Sequence, residues 1–130
     1  MKSPTKPSAT AIRRARSQIE KALATLPEAG LVDISSHASI EVRGKRFGWL
    51  LIDHHGDQRI AINVKCSAIL AGALQDAAPT HFHIPKYVGH RGWIGLWLDV
   101  PKLDPRLLED ALSDGYRQVA PKSLLSTLKG

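Results

Sequence analysis

Across residues 9–26 apolar side chains recur at three- and four-residue steps, placing Ile12, Ala15, Ile19, Ala22, Leu23 and Leu26 on one helical face and leaving Arg13, Arg14, Ser17, Glu20 and Lys21 to water. Pro27 disfavours helical geometry in the residue before it and Gly30 suits the turn that follows, so the helix is expected to stop there. From residue 36 to 65 the period falls to two. Ala38, Ile40 and Val42 alternate with polar neighbours, and residues 47–52 and 59–64 continue as strands. Arg43-Gly44-Lys45 and His55-Gly56-Asp57 supply turn chemistry between them, which predicts an antiparallel meander.

Beyond the meander, Ser67 is placed to cap a short helix reaching about residue 74, and Ala78-Pro79 restarts extended chain toward His81-Phe82-His83-Ile84-Pro85. Residues 86–92 read as a loop. Residues 93–98 read as a strand with Ile94, Leu96 and Leu98 on one side and Trp93 and Trp97 on the other, Gly95 leaving the tryptophan side open at its centre. Asp104 as N-cap and Pro105 at the first helical position start a last long helix, whose buried stripe is Leu107, Leu108, Ala111, Leu112, Tyr116 and Val119. Ala120-Pro121 breaks it, and residues 123–128 suffice for one more short helix.

The 130 residues suit one domain, with 43% hydrophobic and 23% charged residues giving enough apolar material for one core. Pro4 and Pro7 among Ser, Thr and Lys make residues 1–8 an expected disordered basic arm, with a single domain over residues 9–130. Cys66 stands alone, which excludes an internal disulfide and points to a reducing compartment, the cytoplasm. No stretch approaches the roughly 20 apolar residues that span a bilayer, and the start lacks the apolar core of a secretory signal. In a eukaryote a basic, acid-poor start of this kind is also what a transit peptide looks like.

The net charge of +6 invites phosphate binding, but it is unevenly placed. Residues 1–21 hold six basic side chains against Glu20, a net of +5, so the remaining chain is nearly neutral at +1.

Residues 87–99 (YVGHRGWIGLWLD), followed by residues 115–124 (GYRQVAPKSL), resemble the MmcQ/YjbR family, as do Leu26-Pro27-Glu28 and the hairpin Gly44-Lys45-Arg46-Phe47-Gly48-Trp49. The motifs span about residues 20–128 in the family's order. The resemblance implies an α+β, two-layer α/β sandwich like that of frataxin and CyaY, an antiparallel sheet of about five strands with N- and C-terminal helices on one face. It also implies the family's usual description, DNA-binding. Gly115 departs from the pattern, standing before Tyr116 where the family typically has Ser, a change that weakens a helix by about 1 kcal/mol.

Iron binding by analogy with frataxin would need carboxylates along the first helix, and this one carries Arg13, Arg14, Arg16 and Lys21 instead. His81 and His83 would share a strand face, yet no Cys or carboxylate cluster stands nearby to complete a metal site. Cys66 has no evident base partner, Ser67 lies in no nucleophile elbow, and the glycine pairs at Gly44 and at Gly89 and Gly92 lack the strand–loop–helix context of a nucleotide loop. The expectation is therefore a non-enzymatic, monomeric binding protein without cofactor or metal and without membrane attachment.

Two binding surfaces compete. Nucleic acid would use Arg13, Arg14 and Arg16 of the first helix, Lys45 and Arg46 at the hairpin tip, and Lys86 and Arg91 of the loop, giving weak, salt-sensitive DNA binding. A protein partner would use an aromatic sheet face made of Trp49, Trp93 and Trp97, with Phe47 and Leu51 on the same side as Trp49.

Overall fold

The computed structural model describes residues 6–85 and 92–128. The first helix, α1 (Ala9–Leu23), is capped by Ser8, whose hydroxyl accepts from the Ala11 N–H at 3.0 Å. It ends three residues earlier than the apolar pattern suggests, since the chain turns at Ala24 and Glu28 adopts a positive φ of 62°.

There follow β1 (Ala29–Ile34), β2 (His37–Val42), β3 (Lys45–Ile52) and β4 (Ile60–Lys65), then α2 (Ala68–Ala77), β5 (Phe82–His83), β6 (Trp93–Trp97), α3 (Pro105–Val119) and α4 (Lys122–Leu125). The strands form one six-stranded sheet in the order β1-β2-β3-β4-β6-β5, every neighbouring pair antiparallel. The meander and both long helices stand where the periodicity puts them. The strand beyond the expected five is β1, an edge strand exposed along its second half.

The layers are those of an α+β sandwich. Ile40, Leu50, Ile62, Val64, Ile94 and Leu96 point from the sheet into a core completed by Ile19 and Leu23 of α1 and by Leu108, Leu112 and Tyr116 of α3. Tyr116 is fully buried; its ring meets Phe47 edge-on at 6.0 Å and its hydroxyl donates to the Pro27 carbonyl at 2.7 Å. Gly115 explains itself here: a Cβ would lie 2.6 Å from Val64 Cγ2 and 2.9 Å from the Lys65 carbonyl oxygen, so α3 crosses β4 at a distance no side chain allows. The close approach outweighs the helix weakening that a glycine brings.

Two local features aim side chains at the other face of the sheet. Arg43 and Gly44 both take positive φ, 47° and 76°, the tight primed turn that suits a two-residue hairpin, and Arg43 is tied to Glu28 at 2.9 Å. Then the β2–β3 register slips between Ile40 and Glu41, so that Glu41 faces Arg46 while Ile40 faces Gly48. Phe47 is the extra residue of this bulge. Its side chain goes to the helices, not to the side shared by Trp49 and Leu51 as simple alternation predicts. No helix of the described residues is long and apolar enough to cross a membrane.

Candidate functional site

The helices cover one face of the sheet; the other carries a cluster of tryptophans, histidines and arginines. Cross-strand register builds it row by row, because directly opposed residues put their side chains on the same side. One row runs Ser39, Trp49, Asn63, Gly95 and His83; the next runs Leu51, Ala61 and Trp97. Small Ala61 and Asn63 on the central strand thus lie between two large indoles, Trp49 and Trp97, and the result is a trough of about 660 Å³. Leu51, Ile84 and Pro85 complete its apolar lining, and His37, His54, His55 and His83 bring four imidazoles to it.

Gly95 does not leave the tryptophan side empty, as the sequence suggests. The His83 ring lies over it, where a Cβ would collide with Nε2, and stacks on Trp97 at 4.1 Å with 23° between the planes. Burial, and then the neighbouring Arg59 guanidinium, hold His83 below the usual imidazole pKa, so its ring is neutral near pH 7. His54 is also pushed down, by burial and by the adjacent rings of His55 and His37. The His37 tautomer is fixed by the backbone: Ile52 N–H donates to His37 Nδ1 at 3.1 Å, so the neutral ring carries its proton on Nε2.

Each trough indole carries an arginine. Arg46 lies over Trp49, 4.0 Å from the ring centroid, and Arg59 lies over Trp97 at 4.1 Å. The two differ in what else they hold. Arg59 is clamped on Asp99 by three hydrogen bonds of 2.7–3.0 Å. Burial opposes the charge on Asp99, but Arg59 and the Ile60 N–H outweigh it and keep the carboxyl below its ordinary range. Arg46 donates only through Nε, to the fully buried Ser39 hydroxyl at 2.8 Å, and forms no ion pair among the described residues.

The segment joining β3 to β4 forms one lip of the trough and is conformationally costly. Asp53, His55 and Gln58 all take positive φ, at roughly 1 kcal/mol or more each for residues other than glycine. Asp53 Oδ1 accepts from the Gln58 N–H and Asp57 Oδ1 from the Arg59 N–H, both at 2.9 Å, which holds the turn in shape.

The residues singled out in the sequence are divided by this architecture. Arg13 and Arg14 are exposed on α1, in the helix layer, and Arg16 there is paired with Asp33 at 2.7 Å. Lys45 is exposed at the hairpin turn, while Arg46 folds onto the open face over Trp49. Lys86 and Arg91 lie outside the described residues. Trp49 and Trp97 line the trough; Trp93 is half-buried on the same face, opposite Lys65 and outside the trough. Sequence reasoning missed Asn63, Ala61 and the trough position of His83. The available signal was a pair of small residues at alternate positions of a strand whose neighbours carry tryptophans.

Cys66 is buried and its thiol is pushed up to about 12 by burial and by Asp114, which makes it a poor nucleophile. Among the described residues no three His, Cys, Asp or Glu side chains gather in a way that would hold a metal ion.

Residues 24–118 match the family model described as YjbR. Among solved structures the chain is similar to the crystal structure of Deinococcus radiodurans protein DR2400, whose domain carries the family description DUF419. The TM-score is 0.63 at 15% identity, with 98% of this chain and 91% of that chain covered, a likeness of fold alone. No curated protein matches the chain.

Proposed function

This chain belongs to the YjbR family, and we propose that it works by binding rather than catalysis, holding single-stranded nucleic acid on the open face of its sheet. The observation that carries this is the pairing of Arg46 with Trp49 at the trough. An indole offers a stacking surface to a base, and a guanidinium that pairs with no carboxylate among the described residues is free to meet the phosphate beside it. Trp97, Trp93 and Lys65 extend the same face. Stacking of this kind needs unpaired bases, so single strands are favoured over duplex. The Arg13 and Arg14 side chains, in the other layer, and the arm add only non-specific, salt-sensitive attraction.

A protein partner is the second proposal, favoured by exposed Val32 and Ile34 on β1. The register sets them opposite Ser39 and His37, so they prolong the open face with apolar side chains.

The test is a titration of labelled single-stranded and duplex DNA, by fluorescence anisotropy at low and near-physiological salt, with the full chain and a chain lacking residues 1–8. Single-strand binding by both chains, weakened in Trp49→Ala, supports the sheet-face site. Binding only by the full chain, and only at low salt, assigns the signal to the arm and sinks the proposal. No binding of either DNA form turns attention to Val32, Ile34 and the tryptophans as a protein-docking face.

A further inference from the structure

One lip of the trough gathers three imidazoles. His37 begins β2, and the turn after β3 brings His54 and His55 to it. The His37 and His54 rings meet edge-on at 5.4 Å between centroids, and the His54 and His55 rings lie 3.9 Å apart. Rings this close cannot all be charged at once, because each proton taken up repels the next. His37 is kept neutral by its backbone contact. A second proton, on Nδ1, would break the bond from the Ile52 N–H, so the ring offers only its Nε2–H, as a donor. His54 is half-buried and His55 exposed, so both are within reach of water and of a ligand.

The other charged groups at this lip are few. Asp53 is in contact with Lys6 at 4.0 Å, and Asp57 accepts from the Arg59 N–H. His83 and Arg59, the latter paired with Asp99, stand on the other side of the trough at Trp97. Burial and the two adjacent rings leave His54 uncharged near pH 7, with Asp57 pulling weakly the other way. Along β2, His37 and Ser39 point to the same side about 7 Å apart, and Ser39 is the residue that anchors Arg46. The imidazoles therefore stand beside the Arg46–Trp49 pair at a distance on the order of one nucleotide step along an extended strand.

We infer that this lip holds a second backbone phosphate of a bound single strand, next to the one at Arg46, and that the His54–His55 pair takes up one proton as the strand arrives. The inference rests on the single-strand proposal and adds to it a second contact and a pH dependence. A phosphodiester remains an anion throughout the range in which imidazole titrates, so its field favours the imidazolium and raises the imidazole pKa. By linkage, affinity then rises as pH falls from the pKa of the complex to that of the free protein. Above that window the strand keeps Arg46 and loses the charged contact at the lip.

The experiment measures binding of oligo(dT) without a terminal phosphate by anisotropy, at about pH 8 and about pH 5.5 and at constant salt, because neither its bases nor its diesters titrate between them. The full chain is compared with one carrying both His54→Asn and His55→Asn, since asparagine tolerates the positive φ of His55. Circular dichroism checks each fold. The expected result is binding about tenfold tighter at the lower pH, lost in the double variant, and an imidazole pKa that rises by about one unit when oligo(dT) is added to the unaltered chain, read from the histidine ring protons by NMR. The ring titration stands even if the double variant does not fold. Equal affinity at both pH values, a pH dependence that survives in the double variant, or an unmoved imidazole pKa overturns the inference and leaves strand binding intact. No binding at either pH overturns both.

Discussion

Arg46 lies over the indole of Trp49 at 4.0 Å, and its Nε reaches past the ring to the buried Ser39 hydroxyl at 2.8 Å. The hydrogen bond holds the guanidinium in place over the indole. A cation and an aromatic surface are therefore presented together, already ordered, with less side-chain entropy to lose when a ligand arrives.

If this pair meets a nucleotide, its halves are separable. Arg46→Gln keeps an N–H for Ser39 but removes the charge, so single-strand affinity should fall and the slope of log K against log salt should flatten by about one phosphate contact. Trp49→Ala should weaken binding by about 1–3 kcal/mol with the slope unchanged. Anisotropy titrations over a salt series read both, and identical slopes in all three proteins would remove Arg46 from the phosphate.

Gly115→Ala should destabilise the protein even though alanine is the better helix former. The new methyl would stand 2.6 Å from Val64 Cγ2 and 2.9 Å from the Lys65 carbonyl oxygen, and backbone cannot give way cheaply. Overpacking of this kind costs about 1–3 kcal/mol, more than the roughly 1 kcal/mol returned by helix propensity. A lower urea midpoint is the expected outcome; a higher one would show that α3 shifts freely.

Stability should decline as pH falls below about 6.5. His83 and His54 both have folded pKa values below the ordinary imidazole value, so between the two values the unfolded chain binds more protons than the folded one. Stability then rises with pH through that window and is fully present above it. Urea unfolding at about pH 7.5 and 5.5 should show the loss, and His83→Asn should make it smaller.

Gly95→Ala should lift His83 from Trp97, because the added methyl takes the space of the imidazole ring. Tryptophan emission should shift while circular dichroism stays native-like, at a stability cost of about 1 kcal/mol or more. Unchanged emission would mean that the stack survives and the trough floor has yielded instead.

What the sequence made legible follows from which signals are local. Alternation marks β2, β3, β4 and β6, and Asp104-Pro105 marks the start of α3, because each depends on neighbours a few residues apart. The edge strand β1 has one exposed flank, and Gly30 and Asp33 blur its alternation, so it leaves no comparable trace. Phe47 is misplaced by alternation since a bulge inserts one residue without a sequence mark. The trough is a product of register: Trp49, Asn63, Gly95 and His83 come from four strands, and no short-range pattern says that they share a row. Charge was legible as composition but not as surface, since Arg16 and Arg43 are spent on Asp33 and Glu28.

The hydrogen bond from Tyr116 to the Pro27 carbonyl joins positions 89 residues apart. The meander from β1 to β4 can zip up from adjacent hairpins, but its core face stays uncovered until the last long helix has been made and has docked beside the first. Closing so long a loop is the slow kind of step in folding, paid in chain entropy before any contact rewards it. On a ribosome, the sheet would wait for nearly the whole chain, and a product ending before α3 would present Ile40, Ile62 and Val64 to water as an aggregation surface.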